Sequence, residues 1–255
     1  MKILPLIILL LAGCQPDNPP PEITAIAHAG GIIHGKGYTN SIEALDNTYN
    51  RGFELFEIDF VWTSDNQLVC LHDWDRTPKW LLNYHGEKPL SLDEFNQLKN
   101  DEFNLTPCNI DRLNQWLKSH PNAYIVTDIK HDNIKGLNLI TRQINDYKDR
   151  IIPQIYQPHE YQPIRDLGYR FIIWTLYKFQ GDQDLVLKHA AEMDLLAITM
   201  PKTRAEKGLA TSLKPLGIPT YVHTINKLDE VILYKTQYGL SSVYTDVLSK
   251  DLSEK

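Results

Sequence analysis

Short apolar segments alternate with amphipathic segments along most of the chain after residue 22. The apolar segments are rich in β-branched and aromatic residues and are apolar at successive positions, which is typical of parallel strands covered on both faces. The predicted strands are 23–28, 53–62, 68–72, 123–130, 151–156, 170–176, 195–200, 219–224 and 241–246.

Helical spacing occurs between most of these strands. The segment 40–52 has Asn40 as its predicted N-cap, Glu43 three residues later and Gly52 as a stop signal. The segments 109–121 and 135–147 place their apolar residues on one helix face.

Strands that alternate with helices predict a parallel sheet, and neither a Rossmann nor a Walker glycine motif is present. The number of strand–helix units favours an α/β fold of the (β/α)₈ TIM-barrel type. Such a barrel has eight strands, so the nine predicted strands are one too many. The link 63–67 is too short for a parallel crossover, so we predict that 53–62 and 68–72 form a β-hairpin. The alternative is a wide loop that re-enters the barrel. Residues 73–108 form a long loop, predicted to act as a lid or a specificity loop.

Composition narrows the class of partner. The chain of 255 residues is 42% apolar and 23% charged, as soluble globular proteins are. Its net charge is −6 and it has no run of basic residues, so nucleic acid is not an expected partner.

The N-terminal sequence predicts export. Residues 1–13 have one lysine followed by a short apolar run, and Leu-Ala-Gly-Cys at its end resembles the lipobox of bacterial lipoproteins. We therefore expect a signal peptide over 1–13, lipidation of Cys14, a proline-rich tether over 14–22 and a single TIM-barrel domain over 23–250. The expected location is the bacterial cell envelope, with membrane contact through lipidated Cys14 only. The alternative is an ordinary secretory signal with an incidental cysteine.

Export also permits a disulfide between the two remaining cysteines, Cys70 and Cys108. The alternative is that Cys70, which lies in an apolar run, is simply a small buried hydrophobic residue.

Polar residues gather at the ends of the predicted strands. They are His28, Glu57, Asp59, His72, Asp73, Asp128 and Lys130. Because residues at i and i+2 share a strand face, Glu57 and Asp59 point together, as do Asp128 and Lys130. Three carboxylates without sulfur predict one divalent cation, Mg²⁺ or Ca²⁺. The cation and Lys130 would attract an anion such as a phosphate, and the two histidines would divide the proton transfers between them.

The sequence resembles the glycerophosphodiester phosphodiesterases of the phosphatidylinositol-specific phospholipase C-like superfamily. The resemblance rests on His28-Ala-Gly-Gly, on Asn40-Ser-Ile-Glu-Ala, on GFELFEIDFVWTSDNQLVCLHD at 52–73, and on YVHTIN and GLSSVYTD near the end. It implies a (β/α)₈ barrel in which His28 and His72 form the acid/base pair and Glu57 and Asp59 bind a metal.

Two positions depart from the family pattern. Ala29 stands where the family usually has a phosphate-holding arginine, which Lys36 would partly replace, and Asp128 stands where it usually has a glutamate. The Asp-x-Lys arrangement is similar to that of sphingomyelinase D-like relatives. Trp174, Tyr177 and the aromatic residues of 74–84 are candidates for the alcohol pocket.

The resemblance therefore implies a metal-dependent phosphodiester hydrolase acting on a glycerophosphodiester or a related phospholipid headgroup. The alternatives are a sphingomyelinase D-like or phospholipase-type lyase, and a non-catalytic surface lipoprotein that binds an anionic ligand. The sequence assigns neither the acid nor the base to a particular histidine, and it leaves open whether water or a substrate hydroxyl attacks.

Overall fold

The computed structural model describes residues 19–99, 102 and 104–252. The predicted signal peptide, Cys14 and the first half of the predicted tether lie outside the described residues. Within these ranges no helix combines the length and the apolar character needed to cross a bilayer.

The nine predicted strands are all present, and eight of them close into a parallel barrel. The strand β1 pairs with both β2 and β9, which closes the ring, whereas β3 is added antiparallel to β2. The predicted (β/α)₈ barrel is therefore confirmed. The strands are β1 Ile26–Ala27, β2 Leu55–Trp62, β3 Leu68–Cys70, β4 Tyr124–Ile129, β5 Ile151–Ile155, β6 Ile173–Thr175, β7 Ala197–Pro201, β8 Thr220–His223 and β9 Ser242–Thr245.

The hairpin between β2 and β3 is also confirmed, and the wide re-entrant loop is excluded. Its register pairs Phe60 with Cys70 and Trp62 with Leu68. The turn is closed by the amide of Thr63, which donates to the carbonyl of Gln67 at 2.9 Å. This register continues beyond the strand, because the amide of Leu71 donates to the carbonyl of Asp59 at 3.1 Å. The chain thereby reaches His72 at the level of Asp59 in β2.

The helices of the described chain lie outside the barrel or in its loops. They are α1 Ile42–Tyr49, α2 Thr77–Leu81, α3 Leu92–Asn96, α4 Ile110–Ser119, α5 Asn133–Gln143, α6 Tyr147–Arg150, α7 Tyr161–Asp166, α8 Gln183–Ala190, α9 Lys202–Ala205, α10 Leu209–Leu213 and α11 Leu228–Thr236.

One predicted cap is wrong. The N-cap of α1 is Ser41, whose hydroxyl accepts from the amide of Ala44 at 3.1 Å, and not Asn40. Asn40 instead has a left-handed φ of +47° and points its amide group towards β2. A polar residue immediately before the true cap gives the same sequence signal as the cap itself.

Alternate residues of each strand face opposite sides of the barrel. At the amino ends of the strands the inward residues form a buried apolar cluster that includes Ile26, Leu55, Ile173 and Tyr221. The chain enters at this end, where the carbonyl of Thr24 accepts from the Tyr221 hydroxyl at 3.0 Å. The outward residues pack with the helices in a second, larger cluster.

The long loop 73–108 includes α2 and α3 and has its own small core. The buried apolar residues of this core are Val61, Val69, Leu71, Leu81, Leu82, Phe95 and Leu105. A disulfide joins Cys70 to Cys108 across 38 residues, and the amide of Cys70 donates to the carbonyl of Cys108 at 2.9 Å. The loop is therefore tied together at its base, two residues from His72.

Removing this disulfide is expected to lower the free energy of unfolding by about 3–4 kcal/mol, because the bond closes a long loop in the unfolded chain. Urea unfolding of the oxidised protein, compared with the Cys70→Ser/Cys108→Ser variant, measures the difference. The variant should not respond to reductant. Equal unfolding midpoints for the two proteins would contradict the expectation.

Candidate active site

The polar residues picked out at strand ends meet at one end of the barrel. His28, Asp128 and Lys130 lie at or just beyond the carboxyl ends of their strands. Glu57 and Asp59 lie beside them within β2, which continues to Trp62 as an arm of the hairpin. This is the end at which (β/α)₈ barrels place their active sites. A cavity of about 1020 Å³ opens there. The predicted residues that line it are His28, Asp59, His72, Asp73, Trp74, Asp128, Lys130 and Tyr177.

Three buried carboxylates form the floor of the site. One oxygen each of Glu57, Asp59 and Asp128 lies within 4.8 Å of the others. The pairing of β2 with β4 causes this, because it sets Asp59 directly beside Asp128. Burial, and then the charge of Asp59, raise the pKa of Glu57 to about 8. The cluster therefore has more negative charge than its surroundings neutralise.

Hydrogen bonds fix the first two carboxylates. Asn40 donates a hydrogen bond from Nδ2 to the Asp59 carboxylate at 3.0 Å, and its Oδ1 accepts one from the Asp59 amide at 2.9 Å. This is the role that Asn40 has in place of helix capping. The amide of Ala29 donates to Glu57 Oε2 at 2.8 Å. Ala29 has a φ of +47°, so its backbone is turned to bring this amide to the carboxylate.

Lys130 and two tyrosines hold Asp128. The Lys130 ammonium donates to Asp128 Oδ2 at 2.8 Å and also pairs with Asp59. The hydroxyls of Tyr156 and Tyr177 donate to the same carboxylate. Burial alone would raise the pKa of Asp128, but the charge and hydrogen bond of Lys130, the hydrogen bond from Tyr156 and the charge of Lys178 together outweigh burial and lower the pKa.

His28 is held from two sides. Its Nδ1 lies 2.8 Å from Asp246 Oδ1, and its Nε2 lies 4.0 Å from Glu57 Oε2. Burial opposes the charged imidazole, but the hydrogen bond to Asp246 and the Glu57 charge together raise the pKa of His28 to about 9. Asp246 is in turn fixed by Asn226, which donates to its other oxygen at 2.6 Å.

His72 has a matching arrangement on the other side. Its Nδ1 lies 2.9 Å from Asp73 Oδ2, and Asp73 also accepts from the Thr77 amide at 2.9 Å. The ring of Tyr38 contacts both imidazoles edge-on, with centroids 4.8 Å from His28 and 5.4 Å from His72. Each histidine therefore uses Nδ1 for a carboxylate and leaves Nε2 for proton transfer.

Several site residues escaped the sequence analysis. They are Tyr38, Asn40 in its site role, Tyr156, Lys178, His223 and Asp246. Asp246 and His223 were detectable, because each lies at the carboxyl end of a predicted strand, as His28 does. His223 lines the cavity with its Nδ1 3.0 Å from the Thr199 hydroxyl, and burial lowers its pKa to about 4.

Two predicted substrate-binding residues lie elsewhere. Trp174 faces outward from β6 and is fully buried between the barrel and the helices, since its neighbours Ile173 and Thr175 take the inward positions. Its assignment to the alcohol pocket is therefore wrong. Lys36 is exposed in the turn before α1 and is not among the residues that line the cavity.

Solved structures share this fold at low sequence identity. A glycerophosphodiester phosphodiesterase from Parabacteroides distasonis is 18% identical, with a TM-score of 0.70, and the match covers 90% of this chain and 94% of that one. A phosphodiesterase from Oleispira antarctica in complex with the product sn-glycerol-3-phosphate is 16% identical (TM-score 0.66; 89% and 93% covered). A Thermotoga maritima glycerophosphodiester phosphodiesterase is 16% identical (TM-score 0.64; 92% and 97% covered).

The fold and the paired histidines beside an acidic cluster are those of a (β/α)₈-barrel phosphodiester hydrolase. The sequence profile of the glycerophosphoryl diester phosphodiesterase family matches residues 33–250. The chain belongs to this family.

Proposed function

We propose that the protein is a metal-dependent hydrolase of glycerophosphodiesters or related phospholipid headgroups that uses two-histidine acid/base catalysis. One observation supports this above all others. Two imidazoles, each held through Nδ1 by a carboxylate, line the same cavity as a buried acidic cluster that is short of positive charge. Family membership supports the reaction class.

The acidic cluster fits a divalent cation. Glu57, Asp59 and Asp128 offer only carboxylate oxygens, which Mg²⁺ and Ca²⁺ prefer. Lys130 pairs with Asp59 and Asp128, whereas Glu57 has no ammonium partner and lies 4.0 Å from His28 Nε2. The three carboxylates would hold the ion. When bound, it would supply positive charge to the phosphoryl oxygens and so stabilise the charge that develops there.

The histidines would carry out the proton transfers. One imidazole takes the proton from the attacking oxygen at its Nε2 as that oxygen bonds to phosphorus. The other gives a proton from its Nε2 to the leaving alcohol oxygen as the phosphorus–oxygen bond breaks. Asp246 and Asp73 keep the two rings oriented, and Asp246 also stabilises the charged form of His28. In hydrolysis the attacking oxygen comes from water, and the products are a phosphomonoester and an alcohol.

The cavity also offers a place for the alcohol. Trp62 and Trp74 line it together with Tyr177, and Trp74 donates its indole N–H to the carbonyl of Trp62 at 2.8 Å. Loop 73–108 contributes Trp74, Glu87 and Pro89 to this surface. The loop would therefore help to select the substrate, as the sequence suggests for it.

The experiment compares sn-glycero-3-phosphocholine, sn-glycero-3-phosphoglycerol and vesicles of intact phospholipid as substrates, each with Mg²⁺, with Ca²⁺ and with EDTA. We expect release of sn-glycerol-3-phosphate from the soluble diesters, loss of turnover in EDTA and recovery on adding back one of the cations. Turnover that persists in EDTA would overturn the metal dependence. Tight binding of the diesters without any product would favour the non-catalytic alternative, and a cyclic phosphate product would favour the lyase.

A further inference from the structure

A third histidine lines the cavity and has no part in the proton transfers proposed for His28 and His72. His223 is the last residue of β8, and its Nδ1 lies 3.0 Å from the hydroxyl of Thr199, which is fully buried in β7. Among the described residues, Thr199 is the one hydrogen-bond partner of this ring. Nε2 of His223 therefore has no partner, and because it is not fully buried it is open to the cavity.

His223 differs from the other two histidines in charge. His28 and His72 are each held by a carboxylate, whereas the ring of His223 contacts a neutral hydroxyl. Burial, and then the charge of His28, lower the pKa of His223 to about 4. At neutral pH the ring is therefore an uncharged imidazole, with one nitrogen that donates and one that accepts.

The position of β8 in the barrel shows which part of a substrate this imidazole would meet. Around the closed ring of eight strands, β8 lies four strands from β4 in either direction. His223 is therefore across the cavity from Asp128 and Lys130, the side on which the proposed function places the phosphoryl group. The ring of Tyr177 contacts that of His223 edge-on, with the centroids 6.2 Å apart. A substituent that extends from phosphorus across the cavity would meet Tyr177 and Nε2 of His223.

The chemistry of Nε2 narrows the group that would bind there. The hydroxyl of Thr199 can donate to Nδ1 or accept from it, so Nε2 is an acceptor in one case and a donor in the other. An ionised phosphoryl oxygen only accepts, and a quaternary ammonium does neither. A substrate hydroxyl both donates and accepts, so it complements Nε2 in either tautomer.

The two alcohols of the diester would occupy different places. The leaving alcohol must lie at Nε2 of His28 or His72, because one of these imidazoles protonates it. The wall at β8 is then left for the alcohol that stays on phosphorus.

We propose that Nε2 of His223 hydrogen-bonds a hydroxyl of the alcohol that stays on phosphorus, so that the enzyme selects diesters of polyols such as glycerol over diesters of simple alcohols. The inference rests on the proposed function for the position of the phosphoryl group. His223 is then a specificity-determining residue that touches the substrate and transfers no proton.

The kinetic test measures choline release from sn-glycero-3-phosphocholine and from propylphosphocholine, the same diester without the two hydroxyls. The parent should prefer the glycerol diester by about 10- to 100-fold in kcat/KM, because the propyl diester leaves Nε2 unpaired. His223→Phe should lose this factor on the glycerol diester and stay within about threefold of the parent on the propyl diester. His223→Gln, which keeps a donor and an acceptor, should retain part of the preference.

His131→Phe is the matched control, because His131 is an exposed histidine of the same cavity that follows Lys130 on the opposite wall. Its preference for the glycerol diester should equal that of the parent. A parent that cleaves both diesters equally well, or a preference that survives in His223→Phe, would overturn the proposal while leaving the proposed function intact. An equal loss on both diesters in His223→Phe and His223→Gln would assign His223 a structural role instead.

A second measurement needs no turnover. Titration calorimetry in one buffer compares the binding of sn-glycerol 3-phosphate and of propyl phosphate to the parent and to His223→Phe. The parent should bind sn-glycerol 3-phosphate about 10-fold more tightly than propyl phosphate, and the variant should bind the two equally. If the protein hydrolyses no phosphodiester but this difference is found, the proposed function fails and the hydroxyl contact stands. Equal affinities of the parent for the two ligands would exclude the contact.

Discussion

Replacing either His28 or His72 by alanine is expected to lower kcat/KM for phosphodiester hydrolysis by about 10²–10⁴-fold, the usual contribution of a general acid or base. The reason is geometric, because each imidazole is oriented by its own carboxylate and both line one cavity. Since the two rings act in the same step, the double variant should be little slower than the worse single variant. Initial rates on a soluble glycerophosphodiester at saturating cation measure the effect.

His85 provides the matched control. It lies exposed in the long loop, with its Nε2 3.1 Å from Asn83, and it is not among the cavity residues. His85→Ala should therefore keep the parent rate. Asp246→Asn should give an intermediate loss of about 10- to 100-fold, since it keeps the imidazole but weakens its orientation. Histidine variants that turn over as fast as the parent would remove the catalytic assignment of both rings.

Loss of a residue that only orients a metal ligand costs roughly 10- to 100-fold in metal affinity. Glu57 is proposed to contact the ion itself, so Glu57→Gln is expected to weaken divalent-cation binding by more than this. Glu57 is the one carboxylate of the cluster that has no ammonium partner. Its negative charge should therefore depend most on the bound cation for neutralisation. Titration calorimetry with Mg²⁺ and Ca²⁺ measures the affinity. The rise in Tm on adding cation provides a second readout, because a ligand at 100 times its Kd stabilises by about 2.7 kcal/mol.

The metal-free variant should be no less stable than the metal-free parent. With its pKa raised to about 8, Glu57 is largely protonated at neutral pH when no ion is bound, and glutamine resembles that neutral form. Glu54→Gln is the control, because Glu54 lies just before β2 and is not one of the clustered carboxylates. Cation affinity unchanged in Glu57→Gln would show that the acidic cluster does not bind the ion.

Most of the fold followed from hydrophobic patterning. Every predicted strand is present, and the hairpin followed from a chain-length argument, since five residues cannot connect parallel neighbours. The clustering of His28, Glu57, Asp59 and Asp128 also followed, because parallel strands bring their carboxyl ends to one edge.

The errors arose where the sequence pattern is ambiguous. Asn40 and Ser41 are both good capping residues, and only the backbone decides which of them caps α1. Trp174 lies in a fully apolar strand, where no polar alternation indicates which residues point inward. Its outward position followed only once the neighbouring strands fixed the register.

Other features depend on long-range contacts. Tyr156 and Lys178 reach the site across neighbouring strands, and neither belongs to a local polar motif. Asp246 is separated from His28 by nearly the whole chain, although both follow adjacent strands of the closed barrel. Extending the search for strand-end polar residues to the last strand would have found Asp246. The disulfide between Cys70 and Cys108 was undecidable, since spacing alone does not bring two cysteines together.

The point at which the chain joins the barrel has a consequence for access. Thr24 meets Tyr221 at the amino ends of the strands, whereas the cavity that contains His28 and His72 lies at the carboxyl ends. Were Cys14 acylated, as the sequence predicts, the tether would join the barrel at the amino ends of the strands. The cavity at the carboxyl ends would then face the aqueous compartment, away from the membrane. Such an orientation suits diesters that diffuse freely after deacylation, and it disfavours lipids embedded in the leaflet that holds the anchor.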